Sequence, residues 1–253
     1  MSTFAAAVPV LAALVGAVFA ASVLLQYWRR RKPYQLFWGA GLLLFTLATS
    51  MEAVSELAGW SEGTYRVYYA FAPSLVGFLG LGSVFLLSSK AGRYFALYIL
   101  PLFALFAVLV GTAAVTTGNF AYASPAAFQA GSACAPGAAV TLADGRAFTC
   151  GLPIGGAAMP SYVRIMSPLF TIPGSIALIG IAGYSFWKGR GAFNIPIALG
   201  AVVIALGGVL ARFGEPGLLY ATELAGIALM YLGFIRASGL PGAAHAAEPA
   251  KAG

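Results

Sequence analysis

Histidine occurs once in these 253 residues, cysteine twice, and acidic side chains seven times. Each shortage removes a class of chemistry. A histidine-ligated haem, a zinc centre and a serine hydrolase with a histidine base all need more than the lone His245 can supply. Neither a Walker phosphate loop nor a dinucleotide fingerprint is present, so no metal, nucleotide or other cofactor is implied. Acid/base chemistry, if there is any, falls to glutamates such as Glu52, Glu56 and Glu223. Charge as a whole is scarce: 8% of the residues carry one, against roughly 25% in soluble domains.

What fills the chain instead is apolar, at 60% of residues. A membrane-crossing helix needs about 20 mainly apolar residues, and seven stretches qualify, at about 4–28, 34–57, 64–88, 93–115, 162–187, 193–213 and 217–236. The expected fold is an all-α, seven-helix transmembrane bundle forming one domain over 1–236, with a disordered cytoplasmic tail at 237–253. The first stretch lacks a preceding basic residue and is too long for a signal peptide, so it is expected to remain.

Charge placement orients the bundle. Arg29, Arg30, Arg31 and Lys32 follow the first stretch, and basic residues favour the cytoplasmic side. That places the N-terminus outside and the C-terminus inside, with ten of the fourteen basic residues and every lysine inside. Six of the seven acidic residues then fall outside. The net charge of +7 follows from this topology and from contact with anionic inner-leaflet lipid, and no basic stripe with interleaved aromatics suggests nucleic acid. A multi-pass protein of the plasma (cytoplasmic) membrane is expected, with the lipid bilayer as its first partner.

A weak internal repeat runs through the helices. At an offset of 159, Tyr27-Trp28-Arg29, Arg31, Tyr34-Gln35-Leu36 and Gly41 face Phe186-Trp187-Lys188, Arg190, Phe193-Asn194-Ile195 and Gly200. At an offset of 151, Tyr69-Ala70 and Leu81-Gly82 face Tyr220-Ala221 and Leu232-Gly233. Two parallel three-helix units joined by a single helix would give this pattern. The layout resembles that of SWEET-type sugar transporters and, more loosely, microbial rhodopsins. The similarity is architectural: the last helix holds no lysine for retinal, and function does not transfer with architecture.

The longest connection, about 117–161, is expected outside. Val140 to Ala143, Asp144-Gly145 and Arg146 to Thr149 read as a short hairpin around a two-residue type I′ turn. Cys134 and Cys150 flank it, and an outward loop is an oxidising place, so a disulfide stapling its base is expected.

Polar residues within the spans carry the functional argument, because a charge in hydrocarbon must be paired or face water. Glu52 and Glu56 are four apart and share a helix face, where like charges repel unless a cation or proton intervenes. Glu223 lies deepest in the last helix. Arg66, Arg164 and Arg212 stand at outer helix ends beside Glu215, with Tyr69 in a tyrosine cluster next to Arg66. One outer-half network of these eight residues is expected, either as ion pairs that lock the helix ends or as a polar pocket. The pocket reading makes the protein a binder or transporter of a small or lipid-like molecule. The alternatives are an accessory or sensory subunit with a membrane-protein partner, and a lipid- or isoprenoid-directed enzyme using glutamate acid/base chemistry.

Overall fold

The computed structural model describes residues 3–58, 60–116, 139–141, 147–149, 156, 158–189, 194–212 and 216–238, with only the backbone given for 3–6, 139–141, 147–149, 194, 209–212, 216–217 and 238. Apolar segments without water to satisfy their amides must bond internally, and helices do this within a single segment. Four long helices open the chain: α1 (Thr3–Arg30), α2 (Pro33–Ala58), α3 (Glu62–Leu87) and α4 (Ser89–Thr112). Two short strands follow, β1 (Ala139–Thr141) and β2 (Ala147–Thr149), then α5 (Ser161–Arg164), α6 (Ser167–Trp187), α7 (Asn194–Arg212) and α8 (Pro216–Ser238).

Local chemistry sets the tight turns. Arg31 takes a positive φ of 51° and donates its amide to the Tyr27 carbonyl at 2.7 Å, closing α1 in the manner of a left-handed helix cap. Ser61 and Thr64 form a reciprocal capping box that starts α3. Ser88 ends α3 and caps α4. Connections this short force neighbouring helices to run antiparallel.

Six helical segments are long and apolar enough to cross a membrane: Ala7–Arg30, Pro33–Ala58, Glu62–Leu87, Ser89–Thr112, Ser161–Trp187 and Leu218–Ala237. The α7 helix has 19 residues, but its described apolar run, Ile195–Gly208, is shorter. By length and composition, therefore, six of the seven expected spans are found. At the other end of the chain, α8 runs through Ser238, two residues beyond the expected helix end, and the remainder of the tail lies outside the described residues.

The helices pack in a ring. α1 lies on α2, α2 on α3, α3 on α6, α6 on α7, α7 on α8, and α8 returns to α1, while α4 packs outside against α3. Tyr98 and Phe106 of α4 also reach α6, through the Leu169 carbonyl and the Phe170 ring. One apolar core fills the ring interior with Val23, Leu42, Phe45, Leu79 and Ile227. A second, around Tyr65, Phe106, Val163 and Phe170, joins α3, α4, α5 and α6.

Small residues decide how closely the backbones approach. A Cβ on Gly80 of α3 would lie 2.6 Å from both the Cα and the carbonyl oxygen of Gly174 in α6, so this seam closes backbone on backbone. The α1–α8 seam instead closes through side chains, with Phe19 centred 5.1 Å from both Tyr231 and Phe234. Small residues spaced four apart on α1 are buried at Ala12 and Ala20, and a Cβ on Gly16 between them would meet Phe45 and Thr46 of α2. At the basic end of the bundle, Trp28 and Trp187 are 72% and 80% exposed. Arg31 and Lys188 sit over these rings, an arrangement suited to a membrane interface.

The strands pair antiparallel, with Val140 opposite Phe148. A two-residue turn at Asp144-Gly145 would instead set Val140 opposite Thr149, so the register differs by one residue from the expected hairpin. Cys134, Cys150 and the turn lie outside the described residues.

The glycine seam makes a directional prediction. Gly174→Leu should lower the thermal unfolding midpoint in detergent, by an overpacking penalty of about 2 kcal/mol or more. Gly180→Leu, on the same helix but with nothing within 4 Å of its Cβ position, should leave the midpoint almost unchanged.

A candidate functional site of buried carboxyl groups

The burial stripe of α2 reads Leu42, Phe45, Thr49, Glu52, at the three- and four-residue spacing of one helix face. Glutamate thus occupies a position where the pattern calls for an apolar residue, and helix packing carries it into the ring. Glu56 follows one turn later. On α8 the corresponding face runs Tyr220, Glu223, Ile227, Met230. Glu52 lies six residues from the end of α2, Tyr68 six from the start of α3 and Glu223 seven from the start of α8. At 1.5 Å per residue, each is about 9–10 Å in from its helix end.

Three helices therefore deliver polar groups to one level. Glu52 is fully buried, Glu223 is its immediate neighbour, and the Tyr68 hydroxyl lies beside it. Neither neighbour reaches either Glu52 oxygen with the distance and angle of a hydrogen bond. Glu56 accepts a hydrogen bond from the Tyr220 hydroxyl at 2.8 Å through Oε1. Its Oε2, and Oε2 of Glu223, are buried without a donor among the described residues.

The structure takes Arg66 and Arg164 elsewhere. Arg66 pairs with Glu62 at 2.5 Å and donates to the carbonyls of Val110 and Ala113, so it caps the C-terminal end of α4, where the helix dipole favours a cation. Arg164 is exposed at the end of α5, with Tyr65 the side chain its charge acts on. Tyr69 is 6% exposed, stacks on Tyr65 and shares a hydrogen bond with Ser167 at 3.1 Å. Tyr65 and Tyr69 are thus core residues rather than a lipid-facing belt. Of the eight residues expected in one network, Glu52, Glu56 and Glu223 come together, while Arg66, Arg164 and Tyr69 belong to the neighbouring α3–α4–α5 core. Arg212 is placed by its backbone alone, and Glu215 lies outside the described residues.

Tyr220 is the member that sequence reasoning missed. Its signal was present: three residues before Glu223, it shares that residue's helix face.

Among the described residues no lysine or arginine pairs with Glu52, Glu56 or Glu223. A lone charge at membrane depth is penalised by about 3 kcal/mol or more, and adjacent carboxylates also repel. The cluster must hold a proton, admit a cation, or alternate between the two. Among the described residues no three histidine, cysteine or acidic side chains converge as a metal ion would require. The site presents acceptor oxygens and two phenol hydroxyls, suited to protons and N–H donors. The chain matches no family model, no curated protein and no solved structure, so the functional argument rests on these residues.

The Tyr220–Glu56 contact can be tested in isolation. Tyr220→Phe should destabilise the protein by about 1–3 kcal/mol, the range for a hydrogen bond to a charged group. In a double-mutant cycle with Glu56→Gln, thermal unfolding should show coupling of about 0.5 kcal/mol or more.

Proposed function

We propose that this chain is a seven-span protein of the cytoplasmic membrane, N-terminus outside, that binds and carries a small molecule through a carboxyl-lined cavity in the outer half of the ring. The observation that carries this reading is Glu52: fully buried, with neither oxygen hydrogen-bonded and no base beside it among the described residues. A carboxyl group kept only for stability would be expected to have a partner, since buried polar groups without one are penalised. An intramembrane carboxyl without one is suited to receiving something.

The ring supports carriage as well as binding. Gly41 packs on Leu79 between α2 and α3, and Gly200 packs on Met230 between α7 and α8. These contacts coincide under the sequence offsets of 159 and 151, which supports two related three-helix units with α4 between them. The units meet at one glycine seam and one aromatic seam. The first is suited to a fixed pivot, since backbone contact leaves no room for sliding, and the second to parting, since rings can repack. The 117–161 loop, with a disulfide between Cys134 and Cys150, would cover the outer end.

Native mass spectrometry of the detergent-purified protein tests the reading. Wild type should retain a small bound mass, and folded Glu223→Gln should lose it. Absence of any bound mass from wild type, together with a stoichiometric protein partner, would replace carriage with an accessory-subunit role.

A further inference from the structure

The site's own chemistry narrows the ligand. We propose that it takes an organic cation bearing an ammonium group, seated between Glu52 and Glu223 with Glu56 one turn away, and exchanged for protons. This rests on the binding reading above and adds the substrate class to it.

Among the described residues four buried carboxyl oxygens have no donor at hydrogen-bond geometry: both of Glu52, with the Tyr68 hydroxyl close by, and one each of Glu56 and Glu223. An ammonium group is all donor, with up to three N–H bonds fanning outward, and so complements a site that is nearly all acceptor. The groups facing Glu52 are Glu56 from its own helix, Tyr68 from α3, and Tyr220 and Glu223 from α8; none of these is basic, and the positive charge acting on the cluster is that of the amino terminus on Glu56. The α7 helix contributes Arg212, whose side chain is not described. An anionic ligand would meet three carboxyl groups. The phenol rings of Tyr68 and Tyr220 add aromatic surface of the kind that favours organic cations.

Charge balance supplies the exchange. Glu52 and Glu223 side by side in hydrocarbon cannot both stay ionised unaided. A proton held by the pair when the site is empty can leave when an ammonium arrives, so the net charge among the helices is the same in both states. Binding should therefore weaken in acid, where protons compete.

The full-length protein in phosphatidylcholine nanodiscs would be treated with dicyclohexylcarbodiimide, which attacks protonated carboxyl groups, and the modified peptides would be read by mass spectrometry. Glu52 or Glu223 should be modified. n-Butylammonium chloride should slow that reaction roughly tenfold, as expected when about nine-tenths of the sites are occupied, while sodium chloride at equal ionic strength should not. Equal protection by sodium, or none by n-butylammonium, overturns the ammonium assignment. Protection by n-butanol or butyrate instead keeps the site as a binding site and overturns its cation class; if no solute protects and native mass spectrometry shows no bound mass, both readings fail. If neither glutamate reacts, the thermal midpoint decides: n-butylammonium must raise it in wild type and not in Glu52→Gln, and no rise in wild type overturns the proposal.

Discussion

A carboxyl group placed in a hydrocarbon-depth helix bundle must be offset by a proton or a positive charge, and the arrangement around Glu52 follows from that constraint. In most folded interiors such a group is answered by arginine, which offers a planar fork of donors. Here the nearby arginine is committed elsewhere. Arg66 holds Glu62 and the last carbonyls of α4, and so secures the helix outside the ring rather than the acids inside it. The arginine thus reinforces the frame, and among the described residues the acids are left without a basic partner.

The frame can carry that burden because its other contacts are strong in ways that do not depend on charge. Backbone-on-backbone packing at Gly80 and Gly174 joins α3 to α6, and the apolar core of Leu42, Phe45, Leu79 and Ile227 fills the ring below the carboxyl level. Glu52 and Glu223 occupy the same helix faces as these residues. The packing that drives Leu42 and Ile227 inward therefore holds the carboxyl groups inward too, and the helix cannot turn one out without exposing the other.

Much of this was legible in the residues. Helix positions followed from the lengths of apolar runs, whereas the caps at Ser61 and Ser88 came from the structure. The co-location of Glu52 and Glu223 followed from comparable depth along their helices, and that of Glu56 from its place one turn from Glu52 on the same face. What depth does not show is direction around the axis. Arg66 shares the depth of the acids but faces α4, and Tyr69 faces Ser167 of α6, so neither joins them. Tyr220 was overlooked because an interfacial tyrosine is ordinary in a membrane helix, and only its partner Glu56 distinguishes it. The hairpin's register could not be taken from Asp-Gly alone, since a loop with an odd number of residues shifts the pairing by one.

The central claim is that no base among the described residues offsets Glu52. The measurement that tests it most directly is the thermal unfolding midpoint of Glu52→Gln against wild type in the same detergent at neutral pH. With no cation paired to it among the described residues, the substitution should leave the midpoint unchanged or raise it. A loss of about 3–5 kcal/mol, the effect of breaking a buried ion pair, would contradict the account and point to Arg212 as the partner.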